Sequence, residues 1–404
     1  MIYEEIETCY KILPEFGKQR LLMYAESLEE LSFHYVSLVE NGEGVSREEK
    51  VCGEKLSENR RVISGQLWEI SQMLRGLANE AYYTTKSMEK HKRKICKILK
   101  ENGLNLKEMY AVANQNGYLE MGMILNACED GDLFETEDIG EFLSKLLHNH
   151  MSVVPGMPAY IGEEEAKIVF REEVRFFMTT GVARATKEGE VSSGDNFTMT
   201  ELADGTFLAV ISDGMGSGER ANQDSNMVVE LTEQFMEAGF QKEAVANVIN
   251  DLILVKMPEP RTATLDLFRC NLYSGECEFL KMGAAPSFLC TEKGVEVRME
   301  CSLPLGLVSG GRKKPETQLQ GCFLNTGDVV VMLSDGVMDS IEKKAGKSKK
   351  NKNSYEYLSK ILEEYDFVSC KDLANQILGM AIVAEKGKIP DDMTVLAMQL
   401  QERW

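Results

Sequence analysis

The chain has 404 residues, of which 43% are hydrophobic and 27% charged, and its formal net charge is −20. These values indicate a globular protein of two or three domains, and the negative charge excludes general binding to nucleic acid or anionic membranes, whose fields would repel most of the surface. Because no run approaches about 18 consecutive apolar residues and no signal peptide opens the sequence, we expect a cytoplasmic location, or one at the membrane if the sequence is a fragment of a membrane-anchored protein.

Residues 1–87 are predicted to be helical. Apolar residues recur at spacings of three and four from Leu21 to Tyr35 and from Leu56 to Leu77, and the break Asn41-Gly42-Glu43-Gly44 separates the two stretches. Each helix therefore has one apolar face to bury. The pattern does not say what buries it. Two interpretations stay open. The helices form a linker, or they form an element that carries a signal or makes a homodimer.

Residues 88–172 are predicted to form a small α/β module in the order α-β-β-α-β. The predicted segments are a helix to about Lys100, strands at Met109–Asn114 and Tyr118–Cys128, a helix at Glu137–His148 and a strand at Ala166–Phe170. Asn114-Gln115-Asn116-Gly117 is the predicted hairpin turn. The module holds no catalytic constellation, and His148 and His150 are expected to be surface residues near a helix end rather than metal ligands.

Residues 173–404 are predicted to form one α+β domain. The main predicted strands are Phe207–Ile211, Thr262–Cys270, Glu276–Met282, Val329–Leu333 and Thr394–Met398, with helices at Asn222–Ala238, Glu243–Val255 and Asp372–Ala384. Runs of strands with helices held outside favour a β-sandwich flanked by helices. The lysine-rich stretch 343–352 is typical of a solvated loop, and a docking patch for an acidic partner is the alternative.

Four aspartates in this domain stand beside apolar strand-like runs or tight Gly turns. They are Asp195, Asp213, Asp335 and Asp391. If the strand ends carry these carboxylates to one rim of a sheet, their hard oxygen atoms suit Mg²⁺ or Mn²⁺. All four histidines lie upstream of this region, so water activated by the metal would replace an imidazole acid or base. Asp-Gly pairs also favour ordinary turns, which is the alternative interpretation.

The segment from Asp213 to Gly218 follows a predicted strand and precedes a predicted helix, as a phosphate-binding loop would. Its glycine spacing does not fit such a loop, no Gly-Lys-Ser/Thr follows, and a carboxylate at the strand end would repel a pyrophosphate. As a metal-binding turn the segment makes chemical sense. Asp213 can bridge two cations, the Gly214 carbonyl can bind one of them, and the small residues let the backbone come close.

The sequence resembles the metal-dependent protein serine/threonine phosphatases, and within them the bacterial stage II sporulation protein E branch. The motifs that carry the resemblance are Gly194-Asp195, Ser212-Asp213-Gly214-Met215-Gly216, Ser334-Asp335-Gly336 and Asp391-Asp392-Met393-Thr394, with supporting matches at 181–185, 282–288 and 302–306. The likeness covers about residues 170–404. Before that it is weaker, and indicates the regulatory part of the same branch. Four motifs in the family order make ordinary turns a poor explanation.

The resemblance implies the metal-dependent phosphatase fold, with a centre of two Mn²⁺ or Mg²⁺ ions on the rim of its β-sandwich. The implied metal ligands are Asp195, Asp213, Gly214 through its carbonyl, Asp335 and Asp391. Asp391 is preferred to Asp392, because Asp392 fills a position that is often Asn in the family. Asp213, Asp335 and Asp391 would take part in catalysis through the water that the ions activate.

The implied function is hydrolysis of phosphoserine in a protein, with the phosphorylated anti-sigma-factor antagonist of a sporulation or stress pathway as the substrate. Met215 stands where many eukaryotic relatives have His, so the leaving serine would take its proton from metal-bound water or solvent. Two alternatives stay open. One is a catalytically silent module that binds the phosphoprotein, and the other is a scaffold associated with cell division.

Overall fold

A computed structural model describes residues 22–30, 32, 64–68, 70–75, 88–113, 119–128, 131–202, 204–256, 262–299, 302–307, 321–345, 354–365 and 368–403. The chain divides into two compact units, Met1–Leu28 with Ile70–Val174, and Glu29–Glu69 with Arg175–Trp404. Across the described ranges, no helix is both long and apolar enough to cross a membrane. The predicted domain boundaries after residues 87 and 172 stay predictions.

The two predicted N-terminal helices are described only in part. Residues 22–30, 64–68 and 70–75 are helical, as the apolar spacing predicts. The break at 41–44 and the remainder of both stretches lie outside the described residues. The prediction of a homodimer through these helices depends largely on those residues and stays a prediction.

The first unit contains a four-stranded antiparallel sheet and two helices. Its elements in chain order are α1 (Met88–Glu101), β1 (Leu104–Ala113), β2 (Leu119–Ala127), β3 (Phe134–Glu135), α2 (Thr136–Leu147), β4 (Met151–Val153), β5 (Tyr160–Ile161) and β6 (Ala166–Glu172). The sheet order is β1-β2-β6-β4, and β3 pairs separately with β5. The predicted α-β-β-α-β order is present, with β3, β4 and β5 in addition, because strands of two or three residues leave no periodic signal. The predicted hairpin turn lies outside the described residues, although β1 and β2 pair antiparallel on either side of it.

From residue 175 onward, the described residues of the second unit form two five-stranded antiparallel sheets and five helices. The strands are β7 (Phe176–Ala185), β8 (Asp195–Glu201), β9 (Thr206–Asp213), β10 (Leu265–Asn271), β11 (Glu276–Met282), β12 (Ser287–Thr291), β13 (Gly294–Arg298), β14 (Cys322–Phe323), β15 (Val329–Leu333) and β16 (Met393–Glu402). The helices are α3 (Glu219–Glu237), α4 (Lys242–Lys256), α5 (Asp335–Ala345), α6 (Ser354–Glu364) and α7 (Cys370–Ala384). The first sheet has the order β14-β11-β10-β9-β8, and the second sheet β13-β12-β15-β16-β7.

Each sheet carries helices on one face. Helices α3 and α4 share a buried core with β9, β10 and β11 of the first sheet. Helices α5, α6 and α7 share another core with β15 and β16 of the second sheet. Strands β9 and β15 are buried on both faces, so each sheet has a second covered face opposite its helices. The α+β sandwich flanked by helices that the sequence predicts is therefore confirmed.

Helix α5 corrects the loop prediction for the start of the lysine-rich stretch. The helix runs from Asp335 to Ala345 and includes Lys343, whose Nζ donates to Glu385 Oε1 at 2.6 Å. The helix begins within residues of turn-like composition, which hides its start in the sequence. Val337 and Ile341 nevertheless supply an apolar face that packs on the second sheet. Residues 346–352 of the stretch lie outside the described residues.

A buried ion pair connects the two sheets. Asp266 of β10 and Lys281 of β11 are directly opposed, and Lys281 Nζ lies 2.6 Å from Asp266 Oδ2. The same ammonium donates to Ala285 O at 2.7 Å and to Ser287 Oγ at 2.8 Å, and Ser287 begins β12 of the second sheet. Both charged side chains are almost fully buried. The pair is therefore shielded from solvent. Its ammonium and Asp266 Oδ2 are satisfied by hydrogen bonds, whereas Asp266 Oδ1 has no hydrogen-bond partner within the described residues.

Candidate metal centre

The four predicted aspartates lie on one rim of the sandwich that both sheets share. Asp195 is the first residue of β8 and Asp213 the last residue of β9, in the first sheet. Asp335 follows β15 and Asp391 precedes β16, in the second sheet. Because neighbouring strands are antiparallel, the start of one strand and the end of the next meet at the same edge. The sequence predicts one rim of a single sheet, whereas the structure distributes the carboxylates over two sheets.

The backbone of Asp213 is fixed by its neighbours on both sides. Asp213 and Asp195 are paired across β9 and β8. On the other side, Asp213 N donates to Thr264 Oγ1 at 2.8 Å, and Thr264 N donates to Asp213 O at 2.8 Å. Ser212 Oγ also donates to Thr264 O at 2.7 Å. The segment that leads into β10 therefore holds this turn in place.

Helix α3 holds the loop that leads into Asp195. Asn222 Nδ2 donates to Ser193 O at 2.7 Å, and Ser225 Oγ donates to Gly194 O at 2.5 Å. No motif in the sequence marks Asn222 or Ser225 as part of the site. The available signal is a pair of polar residues three positions apart in the helix that follows the Gly-rich turn, where both can face the same neighbouring loop.

Two glycines allow close backbone approach at the rim. A Cβ on Gly214 would lie 2.1 Å from Ala221 O, and one on Gly336 would lie 2.1 Å from Asp392 O. Real Cβ atoms do not approach other atoms so closely, so larger residues would displace the backbone at both turns. The glycines in the two Asp-Gly pairs are therefore required by packing, which agrees with the small-residue turn expected from the sequence.

Asp392 anchors the loop between β7 and β8. Its buried carboxylate accepts hydrogen bonds from Lys187 N at 2.9 Å through Oδ1 and from Gly194 N at 2.8 Å through Oδ2. A carboxylate engaged by two backbone amides is strongly held in place. The neighbouring Asp391 side chain is about half exposed, at 53%. These positions support Asp391 rather than Asp392 as a metal ligand, although that assignment stays a prediction.

Burial and mutual repulsion raise the pKa values of the cluster. Burial first, and then Asp335 and Asp195, raise the pKa of Asp213 to about 8. Burial also raises the pKa of Asp195 to about 6, with smaller contributions from Asp335 and Asp392. Although Asp335 is partly exposed, desolvation and then Asp391 raise its pKa as well. Carboxylates that resist ionisation together in this way favour a bound cation.

The donor atoms and charge of the cluster fit a divalent cation. Asp195 is fully buried, and within the described residues neither of its carboxylate oxygens makes a well-formed hydrogen bond, although the Ser334 and Thr394 hydroxyls lie close enough to lower its pKa. A metal ion would satisfy both oxygens. The carboxylates do not already surround one point, because the described part of the chain has no group of three or more Asp, Glu, His or Cys side chains arranged to hold an ion. Ion binding would therefore require these side chains to turn toward shared positions.

The raised pKa of Asp213 predicts a pH-dependent effect of metal on stability. Between about pH 4 and 8 the folded protein without metal binds more protons than the unfolded chain, so its free energy of unfolding falls as the pH rises through this window. Bound Mn²⁺ would offset the unfavourable free energy of an ionised Asp213 in the folded protein. It should therefore raise the melting temperature more at about pH 8 than at about pH 5. Thermal melts with Mn²⁺ and with EDTA at both pH values test this. An equal increase at both pH values would contradict it, and Asp213→Asn should reduce the difference.

Comparison with known proteins adds an independent finding. A family model for stage II sporulation protein E (SpoIIE) matches residues 203–401, and a model for the SpoIIE regulatory domain matches residues 34–172. The chain is 24% identical to stage II sporulation protein E of Bacillus subtilis (strain 168) over 346 residues, and 26% identical to that of Priestia megaterium over 348 residues. Each alignment covers 86% of this chain, which spans 40% and 57% of the length of the two relatives.

One solved structure is similar over most of the chain. It contains the PP2C phosphatase domain and a fragment of the regulatory domain of the cell fate determinant SpoIIE from Bacillus subtilis. The TM-score is 0.64 at 24% identity, and the match covers 89% of this chain and 100% of the other. The similarity shows that the two chains share a fold.

Proposed function

Because this chain belongs to the stage II sporulation protein E branch of the metal-dependent protein serine/threonine phosphatases, we propose that its second unit hydrolyses phosphoserine in a protein substrate. One observation carries the proposal. The aspartates of both sheets meet at one rim, and the buried Asp195 carboxylate makes no well-formed hydrogen bond within the described residues. The proposed cofactors are two Mn²⁺ or Mg²⁺ ions.

The proposed metal ligands are Asp195, Asp213, Gly214 through its carbonyl, Asp335 and Asp391. Bound ions supply Lewis acidity that lowers the pKa of water from about 15.7 toward 7, which allows attack on a phosphomonoester at neutral pH. The chain itself positions the ligands. Thr264 holds the Asp213 backbone, Asp392 and Ser225 hold the loop before Asp195, and both sheets contribute through rigid strand ends.

The position after the Asp213-Gly214 pair supplies no proton donor. Met215 is exposed, and its thioether sulfur accepts a hydrogen bond from Thr262 Oγ1 at 3.2 Å. A thioether cannot protonate a leaving alkoxide. The serine released from the substrate would therefore take its proton from water, and the side chains of the rim act mainly by position and charge.

Phosphate release from p-nitrophenyl phosphate tests the proposed activity. The full chain should release phosphate in the presence of Mn²⁺ or Mg²⁺, and the release should stop when EDTA is added. A catalytically silent module would bind a phosphoprotein without releasing phosphate, and a scaffold would do neither. No release with either metal across a wide concentration range would overturn the proposal.

The proposed substrate is the phosphorylated anti-sigma-factor antagonist of a sporulation or stress pathway, which rests on the family resemblance. Recognition of a folded protein is supported by two exposed apolar side chains, Val191 four residues before Asp195 and Met215 two residues after Asp213. Such apolar side chains would contact surface beyond the phosphoserine.

We therefore expect the intact phosphoprotein to be a better substrate than a peptide copied from its phosphorylation site, by at least about 10-fold in kcat/KM. Contacts remote from the phosphate lower the activation barrier only for the folded partner. The two substrates should be compared at the same Mn²⁺ concentration. Equal kcat/KM values would contradict recognition by docking.

The proposed role of residues 88–172 is regulation. The support is the match of residues 34–172 to the SpoIIE regulatory domain. Residues 1–87 are proposed to be a helical linker or an oligomerisation element.

A further inference from the structure

Lys187 places an ammonium group beside the carboxylate cluster. Lys187 Nζ lies 3.6 Å from Asp391 Oδ1, and about a third of the lysine side chain is exposed. No other lysine or arginine in the described ranges forms an ion pair with any of the five rim aspartates, which are Asp195, Asp213, Asp335, Asp391 and Asp392. The ammonium therefore lies beside a half-exposed carboxylate of the cluster and is itself partly open to solvent, where a ligand can reach it.

The backbone of Lys187 is held while its side chain is not enclosed. Lys187 N donates to Asp392 Oδ1 at 2.9 Å, and the next residue, Glu188, donates through its backbone N–H to Ile389 O at 2.9 Å. The flexible four-carbon side chain can thus move its charge over a short distance from a fixed starting point. The carboxylate that fixes Lys187 also fixes Gly194, so the lysine and the turn before Asp195 are positioned together.

The charges of the site call for an additional cation when a phosphate enters. Five aspartates line the rim, and two divalent ions would offset only four of their negative charges when all are ionised. A phosphoserine brings a further charge of about −1.5 to −2 at neutral pH. Arg184, the nearest basic residue in sequence, donates through Nη2 to Asp195 O at 3.0 Å, and its guanidinium lies 5.8 Å from the centre of the Phe197 ring. The Arg184 guanidinium is therefore committed to the Asp195 backbone and the Phe197 ring, whereas the Lys187 ammonium contacts the Asp391 carboxylate itself.

We infer that Lys187 is a phosphate-binding residue, whose ammonium leaves Asp391 for a non-bridging oxygen of the substrate phosphate once the metal ions offset the carboxylate charge. The inference rests on the proposed phosphatase function. It involves a charge-assisted hydrogen bond and no covalent step. Because inorganic phosphate shares the same oxygen atoms, it should bind the same residue as the product.

Kinetics of the full chain with the variants Lys187→Met and Lys187→Arg test this inference. With p-nitrophenyl phosphate at saturating Mn²⁺, Lys187→Met should raise both KM and the inhibition constant for inorganic phosphate by roughly 10-fold. Lys187→Arg should recover most of both values because it keeps the charge. The control Lys293→Met changes an exposed lysine in the turn between β12 and β13 and should match the parent. Thermal melts establish that each variant is folded.

The outcomes separate this inference from the function on which it rests. If the parent is active and Lys187→Met changes neither KM nor phosphate inhibition, the inference is wrong and the proposed function stands. A change confined to the Mn²⁺ concentration for half-maximal activity would also overturn it, because Lys187 would then only offset the charge of Asp391. A parent chain inactive with Mn²⁺ and Mg²⁺ would overturn the proposed function and this inference with it.

Discussion

Replacing Asp213 with Asn should reduce Mn²⁺- or Mg²⁺-dependent phosphate release by at least about 100-fold, while the protein stays folded. Asp213 lies at the centre of the cluster, where Asp195, Asp335 and Asp391 all raise its pKa after burial does. An amide has no charge and is a poor ligand for hard cations. The variant should lose metal-dependent activity and not merely substrate affinity, which kcat at saturating metal and substrate would show.

The same substitution should not destabilise the metal-free protein. Because the pKa of Asp213 is raised to about 8, ionisation of this carboxyl lowers the free energy of unfolding at high pH. A neutral Asn avoids this loss of stability. Asp138→Asn is the control for loss of one negative charge, because Asp138 is an exposed residue in the first turn of α2, in the first unit. Parent-like activity of Asp213→Asn at saturating Mn²⁺ would contradict the proposed centre, and so would equal losses in both variants.

Replacing Lys281 with Met should lower the free energy of unfolding by about 3–5 kcal/mol. The substitution leaves the Asp266 carboxylate buried without its cation and removes the hydrogen bonds to Ala285 O and Ser287 Oγ. Burial already raises the pKa of Asp266. Without Lys281 the pKa should rise further, so the variant should lose stability as the pH rises and recover part of it at lower pH. Chemical denaturation at two pH values measures both effects.

Two controls distinguish this ion pair from ordinary packing. The double variant Asp266→Asn/Lys281→Met should be more stable than Lys281→Met alone, because it removes the uncompensated charge. Lys293→Met, at an exposed turn, should change stability by less than about 0.5 kcal/mol. If Lys281→Met unfolds at the same denaturant concentration as the parent, the buried pair does not hold the sheets together as described.

The sequence was sufficient for β9, β15 and β16, three of the four strands that deliver the aspartates, whereas β8, which begins at Asp195, was not predicted. The runs 207–211, 329–333 and 395–398 are wholly apolar and buried, and a continuous buried strand is readable from one sequence. Helix α5 was missed for the opposite reason. Its first residues are Asp335 and Gly336, which are typical of a turn, and only the packing of Val337 and Ile341 shows that the turn continues as a helix.

The supporting residues of the site could not be predicted, because their roles depend on contacts distant in sequence. Asp392 accepts from Gly194 N, 198 positions earlier, and Ser225 holds the Gly194 carbonyl from a helix. Nothing in the residues around Asp392 distinguishes a loop anchor from a metal ligand. Lys187 belongs to no sequence motif, and only the distance between its ammonium and the Asp391 carboxylate indicates that it lies at the site.

Calorimetric titration of the metal-free full chain with Mn²⁺, at about pH 7.5, tests most directly whether the rim aspartates form a metal centre. The parent should bind about two ions per chain, and Asp213→Asn should bind fewer or bind them much more weakly, while Asp138→Asn should match the parent. Identical titration curves for the parent and Asp213→Asn, or no binding by the parent, would contradict a metal centre built on these residues.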